Sequence, residues 1–415
     1  MHLYHNTEND LVINVEQIHF RGQIMNKLKK RFITYGYDEI YTSTFEHYDL
    51  YANMNGTVNH HEMIKTIDNT GTVLVLRPDI TIPITQQIAM NNKEIQEDLR
   101  YFYVLDVFRQ TAEANEYRES TQAGVEYFGN PAPEADAEII ALAIHLLQDV
   151  HVNHFKIELG HAGFFKQLVN EMNIQKQDLN ELKQYIQAKN ITEIEQLLHQ
   201  LDVEKDVKDI VTSLPFLYGN PLEVIEQARK LPLNTKMKNT LQNITDIYHV
   251  LQSYGVADHI VVDLGLINHM DYYSDMIFQG FIEKVGKPIL MGGRYNKLAN
   301  QFDATIPAIG FACDIDLLLA GIESSLLTKM KPVDIIISYQ KKQEDSALDL
   351  ANKLRNKKVK VLTYPNVTSK NHLPQGMFSI DITENKSIFI NDNEETPFTT
   401  FEELIRLIQQ ARERN

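Results

Sequence analysis

The chain has 415 residues, 43% hydrophobic and 23% charged, an ordinary globular profile with room for two or three domains. No run of about 18 apolar residues exists, which excludes a helical membrane span, and the single cysteine, Cys313, excludes an intrachain disulfide and a cysteine-built zinc site. The net charge of −16 is uneven: residues 331–415 hold 13 basic and 12 acidic side chains, leaving 27 and 44 for residues 1–330, a charge of −17 that opposes a phosphate backbone.

The opening MHLYHNTEND has neither the basic start nor the apolar core of a signal peptide, so with the lone cysteine a cytoplasmic protein is expected. Residues 13–35 carry Val15, Ile18, Ile24, Leu28 and Phe32 at near-helical spacing and end at Gly36, an amphipathic helix. Tyr37–Phe45 alternates as a strand. His60, His61 and Glu62 invite a metal reading, but adjacent side chains on a strand diverge and no third ligand follows at helical spacing. A polar surface and no metal are expected there. Ile64–Ile67 and Val73–Leu76 flank the turn residues Asp68–Gly71, a hairpin.

Leu76–Pro83, LRPDITIP, leads into a helix at Ile84–Met90. Asp79 and Thr81 in it read in two ways. They set a carboxylate and a hydroxyl against a buried ammonium, which needs such acceptors, or they begin the helix, with Asp79 facing its dipole. Tyr101–Phe108 is an apolar strand ending at Arg109, and Tyr117–Gly129 a second strand after a loop rich in glutamate (Glu113, Glu116, Glu119). Gln122 and Glu126, four apart on that strand, share one face, as a pocket wall requires. Ordinary cross-strand polar pairs would also satisfy that spacing.

Asp136–Val150 is a helix and Phe155–Leu159 a strand; from about 162 to 255 the pattern is helical, with starts such as Thr192 and no recognisable chemistry. Val262–Gly280 reads as two strands with a turn. Neighbouring Tyr272 and Tyr273 would then point to opposite faces, one into the core and one toward a cavity. The glycine-rich turn Met291–Tyr295 follows, with Tyr295 at its end, and then a glycine-led helix in Pro307–Leu319. Near Pro332 a smaller α/β pattern begins, with strands at Val333–Ser338, Val359–Leu362 and Ser387–Ile390 and helices at Gln343–Leu354 and Phe401–Gln410.

In their order, LRPDIT, the Phe108–Arg109 strand end, TQAGVE, LINHMDYY, GGRYNKL and PAIGFA resemble the histidine-binding part of histidyl-tRNA synthetase, over about residues 10–325. The resemblance implies an α+β fold: a class II synthetase-like antiparallel sheet with flanking helices over residues 1–325, its helical insertion at about 162–255, and a small C-terminal α/β domain at 331–415. It implies a histidine site in which Glu126 accepts an imidazole N–H and a tyrosine hydroxyl, from among Tyr272, Tyr273 and Tyr295, meets the other ring nitrogen. Gln122, Asp79 and Thr81 would hold the α-amino group and Arg109 the α-carboxylate. The segment around Tyr37–Phe45 resembles the interface motif of that class, with Ser43 for its proline, and implies a homodimer.

Four departures bear on activity. Asn268 stands where the family has its catalytic arginine, Leu317 where an arginine reaches the ATP phosphates, and Thr111 where a glutamate follows the Phe-Arg pair. The glutamate-rich loop opposes both a triphosphate and a tRNA end. This profile resembles the histidyl-tRNA synthetase-like regulatory subunits of ATP phosphoribosyltransferase. It implies a non-catalytic chain that the short-form catalytic subunit requires for the first step of histidine biosynthesis, joined in a hetero-octamer, with L-histidine as the feedback ligand. No cofactor, metal, tRNA or membrane is expected. A working histidyl-tRNA synthetase and a stand-alone histidine-binding paralogue are the alternatives; a neighbouring gene for a short catalytic subunit distinguishes the first reading from both.

Overall fold

The computed structural model describes residues 15–52, 54, 58–91, 97–110, 119–172, 174–267, 272–322, 333–365, 376–384, 386–391 and 394–414. The chain divides into two compact units, Met1–Leu326 and Leu327–Asn415.

In the first unit, nine described strands form one sheet. Its order is Asp38–Glu39, Leu99–Phe108, Glu119–Phe128, Ala308–Asp314, Leu290–Arg294, Met276–Ile282, Phe155–His161, Ile260–Asp263 and Tyr218–Gly219. Neighbours run antiparallel except Asp38–Glu39 beside Leu99–Phe108 and Phe155–His161 beside Ile260–Asp263. Period-two alternation gives the sheet two different faces. Phe102, Ala123, Val125, Tyr127, Ile309, Phe311 and Cys313 are buried in the larger core with the Pro133–Asp149 helix. That helix is apolar on nearly all sides, as a helix inside a core must be. Val15–Thr34 packs beside it, and Arg31 Nε donates to Asp149 Oδ2 at 2.6 Å. The opposite face carries Tyr103, Gln122 and Glu126, and the candidate site lies there.

Residues 162–255 form the helices Ala162–Glu171, Lys176–Gln187, Ile191–Gln200, Lys205–Ser213, Pro221–Arg229 and Thr235–Ser253. The third begins at Asn190, whose side chain accepts the Glu193 N–H, and not at Thr192.

Other expectations are revised. Tyr37–Phe45 is not one strand: Asp38–Glu39 joins the large sheet and Phe45–His47 pairs with Val73–Leu76 in a separate three-stranded sheet. Buried Arg77 holds the break, its Nη1 donating to the Thr42 carbonyl at 2.8 Å and its backbone N–H to that of Thr44. The hairpin Lys65–Ile67 with Val73–Leu76 forms as expected, its turn fixed by Asp68 Oδ1 accepting from the Thr70 and Thr72 backbones. His60–Glu62 lie in a turn, not a strand, and no metal-ligating cluster occurs among the described residues. The strands Ile260–Asp263 and Met276–Ile282 do not pair with each other, because Phe155–His161 lies between them. Gly310 sits within a strand, and the helix after it, Ile315–Gly321, starts only when the Asp314 carboxylate caps the Asp316 and Leu317 N–H groups.

The second unit has a five-stranded sheet in the order Val361–Pro365, Val333–Tyr339, Gly376–Ile382, Ser387–Asn391, Glu394–Phe398, with helices Glu344–Asn356 and Phe401–Arg414. Val333–Tyr339 runs parallel to both neighbours and the other pairs are antiparallel. The strands at Gly376–Ile382 and Glu394–Phe398 were not anticipated.

One buried ion pair ties the site strands to the core helix. Arg294 Nε donates to Asp136 Oδ1 at 2.8 Å, both side chains almost fully enclosed, and Arg294 Nη1 donates to the Asn130 carbonyl at 2.9 Å. Burial still lifts the Asp136 carboxyl to about 6, against the pull of Arg294. Removing one partner leaves a bare buried charge, which costs about 3–5 kcal/mol. Arg294→Met should lower the denaturant midpoint of this unit accordingly, and Arg294→Met with Asp136→Leu should recover most of the loss. A double variant no more stable than the single one would show that the pair is not the source.

Candidate ligand site on the sheet face

The site is a depression that small residues make in the sheet face. Register sets Tyr103 opposite Gly124, Gly124 opposite Ala312, and Glu126 opposite Gly310. A Cβ on Gly310 would lie 2.1 Å from Glu126 Oε2, and one on Gly124 would lie 2.4 Å from the Tyr103 ring. Both glycines are therefore required by close approach. The resulting cavity of about 180 Å³ is lined by Asp79, Thr81, Tyr103, Arg109, Gln122, Glu126, Tyr272, Tyr273 and Tyr295 among others. An apolar cavity of about 150 Å³ holds a benzene ring, so this one suits a ligand of amino-acid size.

All eight residues singled out in the sequence line this cavity. Glu126 stands at its base, 1% exposed. Its Oε1 accepts from Thr81 Oγ1 at 2.6 Å and its Oε2 accepts from the Tyr295 hydroxyl. Burial is the main influence on its acidity and lifts the carboxyl to about 8, while the two hydroxyl donors pull it down and the neighbouring Asp79 charge pushes it up. Asp79 begins a helix and also borders the cavity. Its Oδ1 accepts the Ile82 N–H at 2.7 Å and so begins the Thr81–Asn91 helix, yet its carboxyl also lines the cavity. Burial raises its pKa too, opposed by the Ile82 N–H and the Arg109 charge. Arg109 Nε donates to the Pro78 carbonyl at 2.9 Å, which ties the end of the Leu99–Phe108 strand to the loop carrying Asp79.

Tyr272 and Tyr273 correct the sequence reading. Neither is on a strand, since Met276–Ile282 starts after them, so alternation does not separate them. Their rings lie 4.6 Å apart and both line the cavity, Tyr272 also meeting Tyr295 edge-on at 5.8 Å. Tyr103, buried between Gln122 and Glu126 on the adjoining strand, was missed. Its signal was present: an aromatic residue on the strand facing Q-A-G-V-E must cover the glycine between the two polar residues.

At the far end the cavity is closed by Asp314 and Leu317. Asp316 beside them accepts from Arg21 of the Val15–Thr34 helix and from the Thr121 N–H at 3.2 Å. Thr121 Oγ1 in turn donates to Asp106. Arg21 is thus engaged by the Asp316 carboxylate and the Thr121 hydroxyl, and Leu317 brings no charge to the wall. A phosphate group here would meet Asp314 with no compensating cation on Leu317. Asn268, Thr111, Glu113 and Glu116 lie outside the described residues, and Glu119 begins the second strand.

The raised pKa of Glu126 has a stability consequence. An unfolded glutamate titrates near 4.3 and the folded group near 8. The stability it contributes is complete below the unfolded value and is lost as pH rises through the folded one. The melting-temperature difference between Glu126→Gln and wild type should therefore increase by several °C from pH 5 to 8. A flat difference across that range would mean that the carboxyl is ionised throughout.

A model of the histidyl-tRNA synthetase family matches residues 13–318. The chain is 40% identical to an ATP phosphoribosyltransferase regulatory subunit of Oceanobacillus iheyensis over 94% of this chain and 96% of that one. It is 33% identical to one of Ruminiclostridium cellulolyticum over 84% of each. A crystal structure from Bacillus halodurans, described as an ATP phosphoribosyltransferase regulatory subunit/histidyl-tRNA synthetase, superposes with a TM-score of 0.78 at 29% identity, covering 89% of this chain and 94% of that one. Histidyl-tRNA synthetase from a Nostoc species shares the fold, with a TM-score of 0.77 at 16% identity and 96% coverage of both. The chain therefore belongs to the ATP phosphoribosyltransferase regulatory subunits, a family built on the histidyl-tRNA synthetase fold.

Proposed function

We propose that this regulatory subunit binds L-histidine in the Glu126 cavity and passes its occupancy to a short-form catalytic subunit as feedback inhibition. The observation that carries the reading is the buried Glu126 carboxyl, aimed into an amino-acid-sized cavity that also holds Asp79 and Arg109. The Glu126 carboxyl pairs with the imidazole; with a proton it donates to the ring nitrogen, and without one it accepts the ring N–H. Tyr295 or a neighbouring phenol meets the second nitrogen. Asp79, Thr81 and Gln122 take the α-ammonium and Arg109 the α-carboxylate, the charge-assisted pairs such groups favour. No arginine stands at Leu317 to receive ATP, so a bound histidine has no activating partner there.

The same reading includes a homodimer and a hetero-oligomer with catalytic chains, a hetero-octamer in its full form, in the cytoplasm. No described helix is long and apolar enough to cross a membrane. Exposed Tyr41 and Phe45, within the segment that resembles the class II interface motif, support the homodimer. Regulation requires that histidine bind the inhibited assembly more tightly than the active one. A coupling of about 1–3 kcal/mol changes affinity roughly 5- to 150-fold.

Two measurements test this. Calorimetry should show that Glu126→Ala weakens histidine binding by about 10- to 100-fold, the loss of a hydrogen bond to a charged or buried partner; normal binding would place histidine elsewhere. Turnover by a short catalytic subunit should rise when the chain is added and fall as histidine is titrated in. No effect at any ratio, with histidine-dependent pyrophosphate exchange by this chain alone, would establish a working synthetase instead.

A further inference from the structure

A second cavity, of about 170 Å³, lies between the Ala162–Glu171 and Lys176–Gln187 helices. Each helix presents one face to it, because Phe165 and Val169, like Leu179 and Lys183, are four residues apart. Leu266 and Ile267 close it, and the Gln187 side-chain amide fixes that wall by donating to the Ile267 carbonyl at 2.8 Å. Tyr273 borders both this cavity and the Glu126 cavity.

The lining is largely apolar, with Asn170 and two lysines, Lys166 and Lys183, as its polar members. Lys166 is exposed and donates from Nζ to the Tyr273 carbonyl at 2.6 Å. Lys183 is half-buried and has no ion pair or hydrogen bond with any described residue. Lysine stems often cover apolar surface while their heads stay in water. Here both lysines border a volume sufficient for a ring. The chemistry that fits is an apolar body with one anionic head. A carboxylate suits the site better than a phosphate ester, since Lys166 is already engaged and Lys183 offsets one charge, not two, beside this largely apolar wall.

We propose that this cavity is a second ligand site, separate from the Glu126 cavity, that takes a small organic carboxylate with an aromatic or aliphatic body. The body rests on Phe165, Val169 and Leu179, and the carboxylate reaches Lys183, with Lys166 beside it. The proposal does not depend on histidine occupying the other cavity.

Ligand-observed NMR on the full chain tests it, with 3-phenylpropanoate, the uncharged 3-phenylpropanamide and phenyl phosphate as probes. A probe of this size should bind in the millimolar range. The carboxylate should bind, the amide much more weakly, and Lys183→Met should weaken the carboxylate roughly tenfold, the size of one lost charge-assisted contact. Val169→Trp should abolish binding by filling the cavity. Because Lys183 is only half-buried, its variant remains informative should the tryptophan variant not fold. Amide binding equal to the carboxylate, stronger binding of phenyl phosphate, or carboxylate binding unchanged in Lys183→Met would each overturn the proposal.

Discussion

The structure of the site depends on one demand: a carboxyl placed in the middle of a sheet face must be enclosed without being crushed or stranded. Glu126 is 1% exposed, and an unpartnered group so deeply buried costs several kcal/mol. Thr81 and Tyr295 offset that cost by donating to its two oxygens. Gly310 on the neighbouring strand makes the enclosure sterically possible, since any side chain there would occupy the space of the carboxyl itself. The carboxyl and its two partners come from three distant stretches of chain, so the hydrogen bonds also fix how the first helix after the hairpin, the second site strand and the glycine-rich strand meet.

The second requirement is rigidity behind that face. Arg294, one residue before Tyr295, is anchored on Asp136 inside the apolar Pro133–Asp149 helix. The position of the Tyr295 hydroxyl is thereby referred to the main core rather than to a loop. Arg109 does the same for Asp79 through the Pro78 carbonyl. The cavity is walled by groups whose backbone is held from behind, which is what pre-organised binding needs.

The chain has the synthetase fold, and the end of its cavity next to the Ile315–Gly321 helix is acidic. Asp314 and Asp316 stand there, Arg21 is engaged by Asp316, and Leu317 is neutral. That end of the cavity offers a nucleotide's phosphates carboxylates and a leucine, in keeping with a regulatory rather than a catalytic chain. The same scaffold thus serves a family of regulatory subunits, as function lies in the site and not in the fold.

The sequence by itself determined the elements whose signal is local. Helical spacing located Val15–Thr34 and Pro133–Asp149, turn chemistry located the hairpin at Asp68, and four-residue spacing put Gln122 and Glu126 on one face. Motif order then assembled the eight site residues, all of which line one cavity. Tertiary structure alone decided which strands are neighbours. Phe155–His161 separates two strands that read as a hairpin, and Tyr272 and Tyr273 lie side by side because the strand begins after them. It also brought Tyr103 over Gly124 and set Asp314 against the same wall. The reason is physical: periodicity reports which way a side chain faces along its own segment, whereas strand partners are chosen by burial and pairing over long separations, where no local pattern records the outcome.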